Sequence, residues 1–138
     1  MRLVLDTNTV VSGLLWHGTP GALIDAALAG SVELITSTPL LAELKDVLAR
    51  PKFASQLAAR GLSAQALFDG YAALCTLVTP VVITPTVTRD PADDAVLACA
   101  LAAGADLAVS GDADLLNLKH FHGIEIVNAA QALARVRA

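Results

Sequence analysis

Short apolar stretches alternate with longer helical stretches along the whole chain, and this alternation limits the possible folds more than any other feature. Residues 3–5 predict a strand, and GTPGALIDAALAG predicts a helix with Thr19 as N-cap, Pro20 at its first position and Gly30 just past its end. Further strands are predicted in VELITS, at residues 81–83, in LAVS and in IEIVN. Further helices are predicted in TPLLAELKDVLAR, FASQLAARG, SAQALFDGYAALCTLV, DPADDAVLACALAAG and NAAQALARVRA.

This order of strands and helices predicts an α/β fold with a largely parallel sheet. The strands are almost wholly apolar, which indicates that helices cover both faces of the sheet. The predicted architecture is therefore a three-layer α/β/α sandwich.

Length and composition fit a single globular domain over residues 1–138 that is expected in the cytoplasm. Hydrophobic residues make up 55% of the chain, and the formal net charge of −4 argues against a surface that binds nucleic acid all over, although a local basic patch or a metal-neutralised pocket stays possible. Cys75 and Cys99 lie in apolar contexts and are interpreted as small core residues in a reducing compartment. No apolar run reaches the ~20 residues that span a membrane, and Asp6 interrupts any signal-peptide pattern.

Acidic residues recur at comparable points of the predicted strand–helix units. Asp6 ends the first strand, Glu43 lies early in the helix after the second, Asp94 lies in the first turns of DPADDAVLACALAAG, and Asp112 and Asp114 follow LAVS. The carboxyl ends of parallel strands share one edge of a sheet, where ligands bind, so these carboxylates can meet. Carboxylates that meet repel one another, and Mg²⁺ or Mn²⁺ compensates that repulsion with oxygen coordination. Two such ions can stabilise the attacking and leaving oxygens at a phosphodiester, which is the chemistry that we expect.

Each of these acids also has a structural interpretation that the sequence leaves open. Asp6 can be a turn residue, because DTN favours turns, and Glu43 can be an exposed residue at the edge of an apolar helix stripe. Asp94 can be an ordinary first-turn acid, and Asp112 and Asp114 can be a loop residue and a helix cap.

The DPADD segment requires a choice between neighbours. Asp90 is interpreted as the N-cap and Asp93 as part of a capping box, both structural. Asp94 is predicted to face the site because Ala95 and Ala98 then pack inward.

Three segments, LVLDTNTVVSGLL, STPLLAELKDVL and RDPADDAVLACALAAGADLAVSGDADLL, together resemble the PIN domain. The resemblance runs from residue 3 to about residue 129 and is strongest to the toxin components of bacterial and archaeal toxin–antitoxin systems, the VapC-like ribonucleases. It implies a five-stranded, mostly parallel sheet with flanking helices. It also implies a metal-dependent ribonuclease that uses Mg²⁺ or Mn²⁺ on single-stranded or structured RNA.

The resemblance further implies which residues form the site. The family's acids fall in chain order on Asp6, Glu43, Asp94 and Asp112, an additional acid of some members falls on Asp114, and small polar residues fall on Asn8 and Ser110. Asp6, Asp94 and Asp112 would hold one metal, and Glu43 would help to hold a second or position the attacking water. Asn8 and Ser110 would hydrogen-bond the carboxylates or that water and fix their orientation.

RNA also needs cationic contacts away from the metals, and four residues are candidates: Arg50, Lys52, Arg89 and Lys119. Each can equally be a solvated surface charge. The expected partners are an RNA substrate, a cognate antitoxin protein and a second copy of the chain in a homodimer.

Two other functions compete with the nuclease. A haloacid-dehalogenase-like phosphatase also places an Asp after its first strand, but it needs a second acid two residues on, where this chain has Asn8. A binding module that holds an antitoxin with little turnover would suit the many Ala and Leu residues. Metal-dependent RNA cleavage, and its loss on removal of Asp6, separates the nuclease from both.

Overall fold

The computed structural model describes residues 1–87 and 91–137. Its strands are β1 (Arg2–Leu5), β2 (Glu33–Thr36), β3 (Thr76–Leu77), β4 (Leu107–Val109), β5 (His120–Phe121) and β6 (Ile124–Val127). Its helices are α1 (Thr7–Leu15), α2 (Gly18–Leu28), α3 (Thr38–Leu48), α4 (Ala54–Ala59), α5 (Ala64–Leu74), α6 (Pro91–Ala103), α7 (Ala113–Leu116) and α8 (Ala129–Val136). Among the described residues, no helix is both long enough and apolar enough to cross a membrane.

One sheet connects the strands in the order β3-β2-β1-β4-β6-β5. The pairs β1–β2, β1–β4, β2–β3 and β4–β6 are parallel, and only β5 runs antiparallel, against β6. The predicted α/β class with a mostly parallel sheet is confirmed. The number of strands is corrected, because the described residues form six strands and not five.

The sheet separates two hydrophobic cores, as strands with side chains alternating between two faces require. In β1, Leu3 and Leu5 pack with α1, α2, α3 and α8 on one face, whereas Val4 packs with α6 and α7 on the other. In β4, Leu107 and Val109 join the first core and Ala108 joins the second. Helices therefore cover both faces, which is why these strands are apolar throughout.

Two elements differ from the sequence prediction. Residues 7–15 form helix α1, where no helix was expected, although Thr, Val and Gly are weak helix formers. Asp6 caps α1, and burial of Val10, Val11 and Leu15 in the core outweighs the weak propensity. The third strand lies at Thr76–Leu77, and residues 81–83 have no regular structure.

The helix caps differ in part from those predicted. Helix α2 begins at Gly18, so Thr19 lies inside the helix and is not its cap. Ser63 caps α5 as predicted, and its side-chain oxygen accepts a hydrogen bond from the N–H of Ala66 at 3.0 Å. The predicted N-cap of α6, Asp90, lies outside the described residues.

Candidate metal centre at the carboxyl edge of the sheet

Backbone hydrogen bonds fix the ends of the central strands next to one another. The N–H of Asp6 donates to the carbonyl of Val109 at 2.9 Å, and the N–H of Ser110 donates to the carbonyl of Val127 at 3.0 Å. Asp6, Ser110 and Asn128 are the residues that directly follow β1, β4 and β6. They form a row along the carboxyl edge, with neighbouring strands about 4.8 Å apart.

Ser110 connects two of the predicted acids. Its hydroxyl donates to Oδ2 of Asp6 at 2.5 Å, and its oxygen accepts the N–H of Asp112 at 2.9 Å. Ser110 is 1% exposed and Asp6 is 6% exposed, so the contact is protected from water. The expected hydrogen bond from Ser110 to a carboxylate is therefore present.

Asp6 and Asp112 are both helix N-caps as well as members of this cluster. Oδ1 of Asp6 accepts the N–H of Thr9 at 2.9 Å at the start of α1, and Oδ1 of Asp112 accepts the N–H of Asp114 at 2.8 Å at the start of α7. Both acids therefore have a structural role, although Asp6 caps a helix and does not lie in a turn, and this role does not exclude a metal. An ionised carboxyl group has about four lone-pair sites, so capping leaves further sites for a cation.

The first turn of α6 corrects the choice between Asp93 and Asp94. Asp93 is 5% exposed and lines a pocket with Asp6, Glu43 and Asp112. Asp94 is turned away toward residues 86–87. Its Oδ1 accepts the N–H of Val87 at 2.8 Å, and both its oxygens lie 3.2 Å from the N–H of Thr86.

Sequence analysis missed Asp93, although the helical pattern carried a signal for it. Asp93, Val96, Leu97 and Ala100 follow the i, i+3, i+4, i+7 spacing of one helix face, and all four are buried. The larger apolar side chains mark the inward face better than Ala95 and Ala98 do. Thr7 and Ala92 also line the pocket, and nothing in their residue types predicted it.

Glu43 reaches the pocket from the second turn of α3. The chain leaves β2 through Ser37, which is fully buried and whose oxygen lies 3.5 Å from the N–H of Leu40. Leu40, Leu44, Val47 and Leu48 bury one face of α3, and Glu43 lies beside that face. The sheet edge and this packing together direct the second predicted acid toward the first.

Two overlapping groups of acids surround the same space. Asp6, Glu43, Asp93 and Asp112 line the pocket together with Thr7, Asn8, Ala92 and Val96. In addition, Asp93, Asp112 and Asp114 each offer a carboxylate oxygen, and these oxygens lie within 4.8 Å of one another. Asp93 and Asp112 belong to both groups. We call the space that these carboxylates surround the acidic pocket.

The donor set of the acidic pocket fits a hard divalent cation. Carboxylate oxygens are the ligands that Mg²⁺ and Mn²⁺ prefer, and like charges this close repel unless they are compensated. The starts of α1 and α6 supply part of that compensation, because helix N-termini carry positive partial charge. The cavity volume is about 30 Å³, which exceeds the ~10–15 Å³ that one water needs and suits an ion with few waters.

Three of the four predicted cations, Arg50, Lys52 and Lys119, lie outside the acidic pocket. Lys52 lies 5.0 Å from the centre of the Phe53 ring, and Arg50 is exposed beside it at the 3₁₀ turn Pro51–Phe53. Lys119 lines a separate cavity near β5 and β6. Arg89 lies outside the described residues.

Burial shifts the pKa of three groups that lie in or against the hydrophobic cores, Tyr71, Cys75 and Cys99. Burial raises the pKa of the Cys99 thiol to about 11, and burial likewise raises the pKa of Cys75 to about 11. Burial also raises the pKa of Tyr71, whose hydroxyl is hydrogen-bonded to Cys75. All three groups stay neutral near pH 7, in agreement with the prediction that both cysteines are core residues.

Fold and pocket together define a class: an α/β protein that gathers carboxylates at the carboxyl edge of a mostly parallel sheet. A family model described as PIN domain matches residues 2–114. The chain therefore belongs to the PIN-domain family. A search of the curated proteins finds no match.

Several solved structures match this fold, and two of them are described here. The first is VapBC2 from Rickettsia felis bound to a DNA fragment from their promoter, with a TM-score of 0.62 and 17% identity over 93% of this chain and 98% of that chain. The second is PAE2754 from Pyrobaculum aerophilum, with a TM-score of 0.60 and 12% identity over 99% of this chain and 90% of that chain. At these identities the similarity establishes the fold alone.

Proposed function

We propose that this protein is a metal-dependent endoribonuclease, the toxin of a toxin–antitoxin pair. The observation that carries the proposal is the convergence of Asp6, Glu43, Asp93 and Asp112 on one pocket, with Asp114 within 4.8 Å of two of them. Membership of the PIN-domain family, whose members are generally nucleases, supports the reaction class. The RNA substrate and the choice between Mg²⁺ and Mn²⁺ belong to the proposal.

Asp93, Asp112 and Asp114 would hold the ion, with Asp6 and Glu43 completing the acidic pocket. A divalent ion bound there supplies activation of water near neutral pH and stabilises charge at the phosphate. The chain's own contribution is orientation. Ser110 keeps Asp6 and Asp112 in one fixed arrangement through its two hydrogen bonds, and the strand ends behind them are themselves hydrogen-bonded.

The pocket itself is too small for a nucleotide base, so the RNA backbone would lie across its mouth. Asn8 is exposed at that mouth and would hydrogen-bond a phosphate or sugar oxygen. Water would reach the phosphorus from the side of the carboxylates, where Glu43 and Asp93 can orient it. Attack in line with the leaving oxygen would release a 3′-hydroxyl and a 5′-phosphate.

An antitoxin partner and a homodimer complete the proposal. The structural neighbour VapBC2 is described as bound to a DNA fragment from their promoter, which supports a protein partner for the present chain as well. We propose that this partner blocks the acidic pocket or its approach.

The test is cleavage of a mixed pool of single-stranded RNA by the purified protein with Mg²⁺, with Mn²⁺ and with a chelator. We expect cleavage only with metal. We expect the rate of cleavage to fall by at least ~100-fold in the Asp6→Asn variant, because the substitution removes a negative charge but keeps the size of the side chain. The end groups of the products, read by phosphatase and ligase treatment, should be 5′-phosphate and 3′-hydroxyl.

Two results would contradict the proposal. Metal binding without cleavage of any RNA, together with hydrolysis of a phosphomonoester such as p-nitrophenyl phosphate, would favour the phosphatase. Absence of metal binding, measured by calorimetry or by metal-induced thermal stabilisation, would leave only the antitoxin-binding module.

A further inference from the structure

Three cavities follow one another from the carboxyl edge of the sheet down the side formed by β6 and α8, and they share residues where they meet. The acidic pocket shares Asn8 with a middle cavity that is also lined by Ser12, Gly111 and Asn128. The middle cavity shares Asn128 with a basic cavity that is lined by Lys119, His120, Gln131 and Arg135. Their volumes are about 340 Å³ and 410 Å³, each far larger than the acidic pocket.

The register of the sheet explains why the cavities are continuous. Val109 of β4 is paired with Val127 of β6, so Ser110 and Asn128 follow their strands side by side. Asp6 is bound to Val109 on the other side of Ser110. Asn128, where the middle cavity meets the basic cavity, therefore lies about two strand spacings, roughly 10 Å, from Asp6.

Helix α8 extends this line away from the acidic pocket. Asn128, Gln131 and Arg135 are spaced i, i+3, i+7, which places them on one face of the helix. Asn128 and Gln131 form a capping box, with N–H···O distances of 2.8 and 2.9 Å, so the helix end is rigid. Arg135 lies one turn beyond Gln131 and is exposed.

The charges along the line change sign. The acidic pocket is lined by four carboxylates. In the basic cavity, Lys119 and Arg135 face one carboxylate, Glu125, which forms an ion pair with Arg135 and lies 4.0 Å from His120. The basic cavity is thus locally cationic on a chain whose formal net charge is −4.

We infer that the middle and basic cavities form the track along which a single RNA strand leaves the acidic pocket. The inference rests on the proposed function and adds residues to it: Lys119 and Arg135 hold a backbone phosphate, and Gln131 and Asn128 offer uncharged hydrogen-bonding groups to the strand. An RNA strand fits because its phosphates need cations, and because one end of the track is a pocket suited to a metal ion and a phosphate.

The test is the affinity of fluorescently labelled single-stranded oligoribonucleotides in chelator, with the Asp6→Asn protein so that no strand is cleaved. We expect Lys119→Gln and Arg135→Gln each to weaken binding by about three- to tenfold. Each should also lower the slope of log Kd against log salt concentration by roughly 0.7, as loss of one phosphate contact on a single strand predicts. Arg135→Lys should keep the salt slope, because it keeps the charge.

Arg137→Gln is the matched control. It removes the same charge from the same region of chain, but Arg137 lines a different cavity, between α2 and α8, and should leave affinity and salt slope unchanged. Lys119→Gln guards against a folding defect in Arg135→Gln, since Lys119 has no ion pair among the described residues.

Each result bears on the track separately from the nuclease. If Lys119→Gln and Arg135→Gln bind RNA as Arg137→Gln does, the track is overturned even where metal-dependent cleavage is present. If the two variants weaken binding but the native protein cleaves no RNA with either metal, the track stands and the nuclease fails. Tighter binding of an acidic peptide than of RNA, lost in the same two variants, would assign the basic cavity to a protein partner and overturn the RNA track.

Discussion

Asp93 and Asp94 are neighbours in the first turn of α6, and they face two different regions of the molecule. Asp93 is buried in the acidic pocket, where other carboxylates surround it. Asp94 accepts hydrogen bonds from the backbone of residues 86–87, a segment without regular structure. Neighbouring helical residues are rotated by ~100° around the helix axis. This rotation is enough to separate an acid that can bind a metal from an acid that accepts backbone hydrogen bonds.

One helix thus carries one acid suited to metal binding and one acid that stabilises the fold. Like charges in the acidic pocket favour binding of a cation. The single carboxylate of Asp94 needs no cation, because charge-assisted hydrogen bonds from two backbone N–H groups stabilise its charge.

The largest effect is expected for Asp93→Asn. We expect RNA cleavage to fall by at least ~100-fold, because an uncharged amide is a poor ligand for a hard cation. We also expect the thermal stabilisation that Mg²⁺ or Mn²⁺ gives the native protein to disappear, as measured by melting curves with and without metal. Native-like metal stabilisation in this variant would remove Asp93 from the proposed metal centre.

Ser110→Ala should reduce cleavage by about 10–100-fold, the usual cost of losing a group that orients a metal ligand. The variant loses the hydrogen bond to Asp6 and the acceptor for the N–H of Asp112. Ser110→Thr is the control, since it keeps the hydroxyl and should retain most of the activity. Equal rates for the Ala and Thr variants, measured under saturating metal, would show that orientation by the hydroxyl does not matter.

Cys99 lies in the later part of α6, and the pH dependence of the free energy of unfolding tests the effect of its burial. The folded-state pKa of Cys99 is raised to about 11, whereas an unfolded thiol titrates near ~8.5. Below the unfolded value the contribution to stability is complete, and it is lost as the pH rises from ~9 to ~11, because the unfolded chain releases its proton first.

We expect this contribution to be about 3 kcal/mol. Other groups titrate in the same range, so the quantity to compare is the decline in free energy of unfolding for the native protein and for Cys99→Ala, by denaturant titration at several pH values. The variant should show the shallower decline, and identical declines would contradict the buried thiol's role. Asp93 lies elsewhere on α6, so cleavage at neutral pH should change little.

The smallest effect is expected for Asp94→Asn, the counterpart of Asp93→Asn. It should lower the free energy of unfolding by about 1 kcal/mol, because a neutral oxygen accepts the N–H groups of Thr86 and Val87 more weakly than a carboxylate does. Cleavage should fall less than threefold, and metal should still stabilise the protein. Loss of metal stabilisation here, with retention in Asp93→Asn, would reverse the assignment of the two acids.

Much of this architecture was predictable because strand, helix and cap signals agree locally. The α/β class and the parallel central strands follow from the alternation of short apolar runs with helical stretches. The convergence of Asp6, Glu43 and Asp112 at one edge follows because each acid lies just after a strand or early in the helix after it. The resemblance to the PIN domain also indicated Ser110, which follows β4 directly and contacts Asp6.

The remainder depended on information that single residues do not carry. Choosing Asp93 over Asp94 required the phase of α6, which Ala-rich sequence marks weakly because Ala packs on any face. Helix α1 required the burial of Val10 and Leu15, which overrides low helix propensity. The third strand was misplaced because Val81, Val82 and Ile83 have strong β propensity, whereas pairing with β2 occurs at Thr76 and Leu77. The proposed RNA track to Arg135 could not be predicted from the sequence, because it depends on the register of β1, β4 and β6 in the sheet.

The position of β1 in the middle of the sheet has a consequence for the chain as it is made. Asp6 and its hydrogen-bond partner Ser110 are 104 positions apart, so Asp6 is synthesised well before Ser110. At ~5–20 residues per second, a growing chain carries β1 for at least ~5 s before β4 can pair with it, whereas β2 is available much earlier. The acidic pocket therefore stays incomplete while the chain between Asp6 and Asp112 is being synthesised, and its carboxylates cannot meet before then.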